Sequence, residues 1–389
     1  MNTWKLSTFD LFSLGMVIKG AWTYKELPDA SVLQASLDTV LQPYPQLLGR
    51  YDEKKKSMVW TGQEEPVRLV ELDCGSHSVA EDMYKLVPEF NTGSFKAGKS
   101  QAIEAYRITL SDGAAVVLQG AHALMDGCTF YRIAGDWGRI TSGVPVETMT
   151  VDQALIPAAD ALTKEQTLSR VQQLGWSRMG FKSLFRMLFN MATMKFIKGT
   201  FTLEISQDEL SRMRDESGTG TNAVLCHYAI GRLMEKLPAK KGYTLLEVAD
   251  LRGRACNIPE GFCGNFSQSV VIGDFDRDAT AADIQKAASA ILNDRDALSE
   301  NVQLSVSSSS YGLPYFMFDA SDMNSPDPEL FYVNNQLKLK ACEVDFSTGL
   351  PLRAQQAMLP DMIKFWQQES GGPVQIIYGG YAAKIMRRK

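Results

Sequence analysis

Histidine is scarce in this chain. Three occur in 389 residues, His77, His122 and His227, and they lie far apart. The six cysteines, Cys74, Cys128, Cys226, Cys256, Cys263 and Cys342, form no C-x-x-C pair. Together these spacings give no metal-ligand pattern, so no metal is expected, and the thiols read as reduced and mostly buried. No apolar run reaches the roughly 20 residues that a membrane-spanning helix needs. The N-terminus lacks a charged region followed by an apolar core, and the ending KIMRRK matches no lipidation or peroxisomal signal, so a cytoplasmic location is expected. A basic excess is missing too. There are 40 Lys and Arg against 45 Asp and Glu, a net charge of −5. That balance argues against a nucleic-acid partner, which needs a basic face, but leaves room for a local basic patch facing a small anion. There is no G-x-S-x-G elbow to supply a serine nucleophile, and no short-period repeat.

What remains is an ordinary globular composition, 45% apolar and 22% charged, long enough for two lobes. Val32, Leu33, Leu37, Val40 and Leu41 recur at helical spacing, and Pro43 and Pro45 stop that helix. The lysine run Lys54–Lys56 reads as a solvated hairpin turn. AIEAYRITL and AAVVLQGAHA are strand-like runs joined by Ser111-Asp112-Gly113, a hairpin signal. The second run is apolar on both faces and belongs in the middle of a sheet. His122 emerges at its end, before a helix over CTFYRIAGDWGRI. From Ser142 to Lys198 the pattern changes. Phe181, Leu184, Phe185 and Leu188 mark one face of a basic, Met-rich helix, which is expected to pack on its own protein as a crossover; lying on a membrane is the alternative. In the second half, a helix over TNAVLCHYAIGRLMEKL is capped by Thr221 or Asn222. ATAADIQKAASAILNDRDAL reads as one long amphipathic helix, and Ser307–Ser310 as loop. The fold class is therefore α/β (α+β), with a first lobe over 1–165, a crossover over 166–200 and a second lobe over 201–389.

The sequence HALMDG, His122 to Gly127, carries the chemistry. Average composition gives on the order of 1% for a histidine with Asp at +4 and Gly at +5 to arise by chance here. Neutral imidazole takes up a proton near pH 7, and strand ends are where sites are built. Asp126 either acts on His122 or holds the loop by pairing with an arginine. Gly127 offers backbone angles that other residues avoid and space beside the imidazole. Cys128, at a helix start, is a buried thiol or, with His122, a nucleophile.

HALMDG resembles the HxxxDG motif of the BAHD acyltransferases and of the wider coenzyme-A-dependent acyltransferase superfamily. Other segments are similar and fall in the same order: LSTFDLF, LQASLDTVLQPYPQLLGRY, Trp137 after the motif, DLRGRACNIPEGFCGN (Asp250 to Asn265) and DFSTG (Asp345 to Gly349), which corresponds to DFGWG with Ser347 and Thr348 in place of its inner glycine and tryptophan. The resemblance covers nearly the whole chain. It implies two similar chloramphenicol-acetyltransferase-like lobes, each a mixed sheet with helices, with a tunnel between them. It also implies a monomer of secondary metabolism, with no permanent cofactor and acyl-CoA as co-substrate. The reaction would be transfer of the acyl group to a hydroxyl or amine of a small molecule. His122 would be the general base, and Thr348, Asn265 or nearby backbone amides the oxyanion donors. Asp126 would turn away from the substrate toward Arg252 or Arg254. Gly127, Arg252, Asp345 and Gly349 would be structural, with Arg254 and Asn265 on the coenzyme side. Rival readings are a condensation-domain-like enzyme using carrier-protein thioesters, a non-catalytic small-molecule binder of the same fold, and a thioester hydrolase.

Overall fold

The computed structural model describes residues 2–388 except 158–161, 179, 195, 198, 238–240, 313–314, 317–324 and 357–361. Two large sheets organise it. The N-terminal sheet has the order Arg353–Gln356, Val17–Tyr24, Ala114–Ala121, Ile103–Leu110, Leu69–Cys74. Every residue of Ala114–Ala121 is buried, as its unbroken apolar run requires of a strand covered on both faces. It pairs antiparallel with Ile103–Leu110 through the Asp-Gly turn and with Val17–Tyr24 on its other side. A small three-stranded sheet, Asn2–Lys5, Ser57–Trp60 and Arg50–Asp52, carries the exposed Lys54–Lys56 turn.

The C-terminal sheet runs Ser267–Asp276, Gly242–Asp250, Leu330–Asn335, Ile363–Gln367, Val374–Tyr378, Phe201–Ile205, with parallel and antiparallel pairs mixed. Helices Thr221–Glu235 and Ala281–Asn293 pack against each other beside it. One continuous apolar core joins residues of both halves.

The halves are not separate in the chain. Strand Arg353–Gln356 leaves the C-terminal half and pairs antiparallel with Val17–Tyr24, Arg353 opposite Thr23 and Gln356 opposite Gly20. A contiguous second lobe over 201–389 therefore omits a strand exchange. The loop before that strand docks as well. Trp137, fully buried, donates Nε1–H to Leu33 O at 3.0 Å and to Ser36 Oγ at 3.1 Å, tying the helix Gly127–Thr141 to the helix Ala30–Leu41. Its ring meets Phe346 edge-on at 4.8 Å. Gly138 lies against the Asp345 backbone so closely that a Cβ there would sit 2.4 Å from the Asp345 oxygen.

Several local expectations give way to packing. Val32 is exposed because it sits about 100° around the helix from Leu33, whereas Leu33, Leu37, Val40 and Leu41 are buried. Ser307–Ser310 is not loop but the end of helix Arg295–Ser310. Ser307 and Ser308 are buried, and the Ser308 and Ser310 hydroxyls donate to carbonyls three residues back, so packing overrides composition. The long helix breaks at Asp294, whose carboxylate caps the second piece by accepting from Ala297 N at 2.9 Å. Gly220, not Thr221 or Asn222, precedes the helix Thr221–Glu235, because Asn222 Nδ2 is committed to both Glu247 carboxylate oxygens at 3.0 and 2.9 Å. Among the described residues no helix is long and apolar enough to cross a membrane.

The docking of Asp345 on the motif helix generates a test. Gly138→Ala drives a methyl into backbone, which cannot swing aside, and is expected to cost about 1–3 kcal/mol in urea unfolding. A stability equal to wild type would show that this contact is loose.

Candidate active site

His122 is placed by the sheet. Its N–H donates to Met16 O at 3.0 Å, so the first residue beyond Ala114–Ala121 is still tied to the chain entering the neighbouring strand. The residue is half-buried. Of its two ring nitrogens, only Nδ1 is both sealed from solvent and without a hydrogen-bond partner. Burial lowers its pKa below the usual histidine value; its own backbone carbonyl and the Asp126 charge push weakly the other way. The ring is therefore neutral at pH 7 and ready to accept a proton. The other two histidines take no part: His77 pairs with Glu81 on the surface at 2.8 Å, and His227 is exposed.

Asp126 N-caps the helix Gly127–Thr141, its Oδ1 accepting from Thr129 N at 3.0 Å. It has no bond to His122. Arg252 Nη1 reaches its Oδ2 at 2.8 Å and Nη2 its Oδ1 at 3.1 Å, a two-pronged ion pair with both side chains buried. Phe266 N and Ser267 Oγ donate to the same Oδ2 at 2.8 and 2.9 Å. Arg252 also donates to Phe262 O, Gly264 O, Asp250 Oδ1 and Thr129 Oγ1, between 2.7 and 3.0 Å, with Nη2 shared among three acceptors. Burial alone would raise the Asp126 pKa, but the Arg252 charge and these donors hold it below the ordinary carboxylate value. The same charges raise the arginine against the effect of its burial.

Other predicted residues land as follows. Asn265 is half-buried, with Nδ2 3.5 Å from Ser13 Oγ. It lines a cavity between the halves together with Ala123 and Leu124 of the His122 loop, Asp10, Phe262 and Val302; about 10 Å³ is open to the centre of a water molecule. Arg254 is half-buried, and among the described residues its guanidinium makes no hydrogen bond or ion pair. Gly127 keeps ordinary backbone angles, and a Cβ there would meet Leu339 Cδ1 at 3.1 Å. Its expected role as a source of unusual backbone geometry is therefore corrected: what it avoids is crowding against a neighbouring side chain. Cys128 is half-buried, and burial, then Asp126 and Asp250, push its thiol up, away from the thiolate a nucleophile needs.

Thr348 is the main correction. It is exposed, its hydroxyl donates to Glu26 O at 3.0 Å, and its N–H goes to Asp345 Oδ1 at 3.1 Å. Gly349 N donates to the same oxygen at 2.9 Å, so Asp345 and Gly349 close a tight turn. That turn sits against Gly138, eleven residues along the helix from Gly127, roughly 16 Å at 1.5 Å per residue. With its hydroxyl engaged by Glu26 O and its loop at the Gly138 end of the helix, Thr348 does not fit the oxyanion role expected of it.

Residues the sequence reading did not single out complete the site. Thr129 bridges the halves: it accepts from Arg252 and Gly264 N and donates to Gly264 O at 2.8 Å. Its position three after a helix-capping Asp was the available signal. Asp10 lines the same cavity as Asn265, with a carboxyl that burial raises to about 7, opposed by hydrogen bonds from Ser7. Nothing in the spacing of STFDLF announces it. Among the described residues no cluster of His, Cys, Asp or Glu would hold a metal.

Comparison with known proteins places this geometry. No family model and no curated protein matches the chain. Solved structures do. Fusarium sporotrichioides TRI101, complexed with coenzyme A and T-2, is 13% identical and aligns over 100% of this chain and 98% of its own, with a TM-score of 0.72. Vinorine synthase is 16% identical over 99% of this chain and 91% of its own, at 0.68. The fold is that of the BAHD acyltransferases. A condensation domain, the first of the calcium-dependent antibiotic synthetase in complex with a substrate analogue, shares it at a TM-score of 0.62 and 11% identity over 99% of this chain and 97% of its own. Two mixed lobes expected from the resemblance are thus present in the BAHD-type fold.

Two outcomes follow. Asp126→Asn leaves Arg252 buried with half its charge partner gone and is expected to cost about 3–5 kcal/mol in denaturant unfolding. In the wild type, the folded pKa of Asp126 lies below its unfolded value. Its stabilisation is therefore present above the ordinary carboxylate pKa and lost as pH falls through the folded one, and Asp126→Asn flattens that acid limb. Ser347 has φ +67°, a left-handed angle costly for a residue with a side chain. Ser347→Gly is expected to stabilise by about 0.5–1 kcal/mol in the same assay, with no change at His122.

Proposed function

We propose that this protein transfers an acyl group from an acyl-CoA thioester to a hydroxyl or amine of a small molecule, by direct attack in a ternary complex. The observation that carries the reading is His122: a neutral, half-buried imidazole at a strand end, on a loop pinned by the buried Asp126–Arg252 pair. An acceptor hydroxyl is a poor nucleophile until its proton leaves. As its oxygen bonds to the thioester carbonyl carbon, the proton passes to His122. The tetrahedral intermediate then collapses, the carbon–sulfur bond breaks, and the proton goes on to the departing thiolate to give free CoA. No covalent enzyme intermediate is required, because the thioester is already activated. Asp126 is hydrogen-bonded to Arg252 and Thr129 N and not to the imidazole, which separates this arrangement from a serine-hydrolase triad.

With Thr348 remote, the oxyanion falls to Asn265 or a backbone amide beside the interlobe cavity. Such a donor is typically worth about 10²–10³-fold. Arg254 is assigned to a phosphate of the coenzyme, since its guanidinium has no partner of its own among the described residues. One chain supplies both walls of the cleft, so a monomer suffices. The DFSTG loop bears on helix packing: the Thr348 hydroxyl goes to Glu26 O and Phe346 packs on Trp137.

The condensation-domain likeness keeps a second reading open to test, in which the thioester arrives on a carrier protein. Incubation with a panel of acyl-CoAs and a metabolite extract, with products identified by mass, separates the two. Acylated small molecules formed from free acyl-CoA support the proposal; turnover only of carrier-bound thioester overturns it. His122→Ala is expected to lower kcat about 10²–10⁴-fold with unfolding unchanged. Because burial lowers the His122 pKa, kcat/KM should stay flat through neutrality and fall only in acid, with a midpoint below that of an ordinary histidine. A midpoint above neutrality would sink the assignment of the base.

A further inference from the structure

On the crossover helix Phe181–Met194, the residues that the sequence pattern assigns to a packed face stay exposed at Phe181, Phe185 and Leu188; the Leu184 side chain lies outside the described residues. Phe181 is 84% exposed, Phe185 64%, Leu188 51% and Phe189 59%, and Phe196 just beyond is 85% exposed. At 100° per residue, Phe181, Phe185, Leu188 and Phe189 fall within one stripe about 100° wide. An aromatic face of this kind in water needs a cover.

Charge says what the cover is. The chain as a whole is acidic, yet no Asp or Glu occurs from Gln166 to Leu203, a stretch holding Arg170, Arg178, Lys182, Arg186, Lys195 and Lys198. Arg170 is engaged with Glu300 at 2.5 and 3.0 Å. Lys182 and Arg186 are exposed and border the apolar stripe on one side, about 70° and 110° around from its centre. The C-terminal helix Gly380–Met386 lies alongside: Tyr381 Oη is 2.7 Å from Thr193 Oγ1, and Arg387 Nη2 donates to Thr200 O at 2.9 Å. From Ser370 onward the sequence again has no acidic residue, and Lys384, Arg387 and Arg388 are exposed. Two segments distant in sequence thus place basic side chains around one aromatic ridge. Phenylalanines flanked by long cationic side chains match the boundary between acyl chains and anionic headgroups.

We propose that this ridge docks the protein on an anionic lipid bilayer, the crossover helix lying in the interface plane with Phe181, Phe185, Leu188 and Phe189 inserted and Lys182, Lys384 and Arg388 against the headgroups. The inference does not depend on the acyltransferase reading. Joined to that reading, it adds a place of work: a surface from which a lipophilic acyl donor or acceptor is drawn.

Co-sedimentation of the full chain with vesicles tests it. Binding to vesicles of phosphatidylcholine with about 30 mol% phosphatidylserine is expected to exceed binding to pure phosphatidylcholine by about tenfold or more and to fall steeply with salt. The triple variant Phe181→Ser, Phe185→Ser, Phe189→Ser and the charge variant Lys182→Glu, Arg388→Glu alter exposed side chains. Each should keep the wild-type melting curve and lose at least about tenfold of the vesicle binding. Absence of wild-type binding, equal binding to both vesicle types, or undiminished binding by the triple variant overturns the proposal. So does a wild-type dimer in light scattering that the triple variant abolishes without any vesicle binding, which would make a second copy the occupant.

Discussion

A buried carboxylate cannot stand alone, and in this protein that constraint organises the centre of the molecule. Asp126 is ionised in a place where ionisation is costly, and it stays so because its oxygens meet two arginine N–H groups, two backbone N–H groups and one hydroxyl. Arg252 in turn is saturated by carbonyls and by Asp250. A buried ion pair is weak evidence of stability in itself, since hydrophobic replacements can serve as well. What this pair supplies is register. Asp126 begins the motif helix of the first half, whereas Arg252, Phe266 and Ser267 flank the strands Gly242–Asp250 and Ser267–Asp276 of the second. Slipping the halves against one another would leave several charged and polar groups unsatisfied at once.

That register separates two tasks which a catalytic triad combines. The carboxylate holds the loop, the imidazole is left for the proton transfer proposed above, and no hydrogen bond joins them. His122 is left with a ring whose pKa is set mainly by burial, which suits a base that must be neutral before reaction.

A second seam runs at the other end of the motif helix. Trp137 touches the helix Ala30–Leu41 on one side and Phe346 on the other, and the chain then continues into Arg353–Gln356, a strand of the first sheet supplied by the second half. The two ends of one helix are therefore anchored by different parts of the C-terminal half. This explains why the DFSTG loop tolerates its departures. Asp345 and Gly349 make the turn, Phe346 makes the contact, and the positions of Ser347 and Thr348 face outward, where the cost of change is a local backbone strain.

Much of this was written locally. The unbroken apolar run Ala114–Ala121 requires a strand covered on both faces, the Asp-Gly turn sets its hairpin, and the 3.6-residue spacing of Leu33, Leu37 and Val40 makes a helix. Periodicity reports such elements because it reflects the geometry of a single segment. The order of HxxxDG, D-x-R and the DFGWG-like loop pointed to the fold and to Asp126 pairing with Arg252 or Arg254; which of the two it is was decided by the tertiary structure. Contacts between distant segments were decided only by the tertiary structure. Ser307–Ser310 is helical because its neighbours bury it. Thr348 lies far from His122 because Trp137 and Gly138 hold its loop at the wrong end of the helix. Strand Arg353–Gln356 crosses into the other half because an edge at Val17–Tyr24 was open to it. Phe185 and Leu188 have the spacing of a buried stripe and yet face solvent: a pattern marks which face is apolar, but only the assembled neighbours settle whether anything covers it.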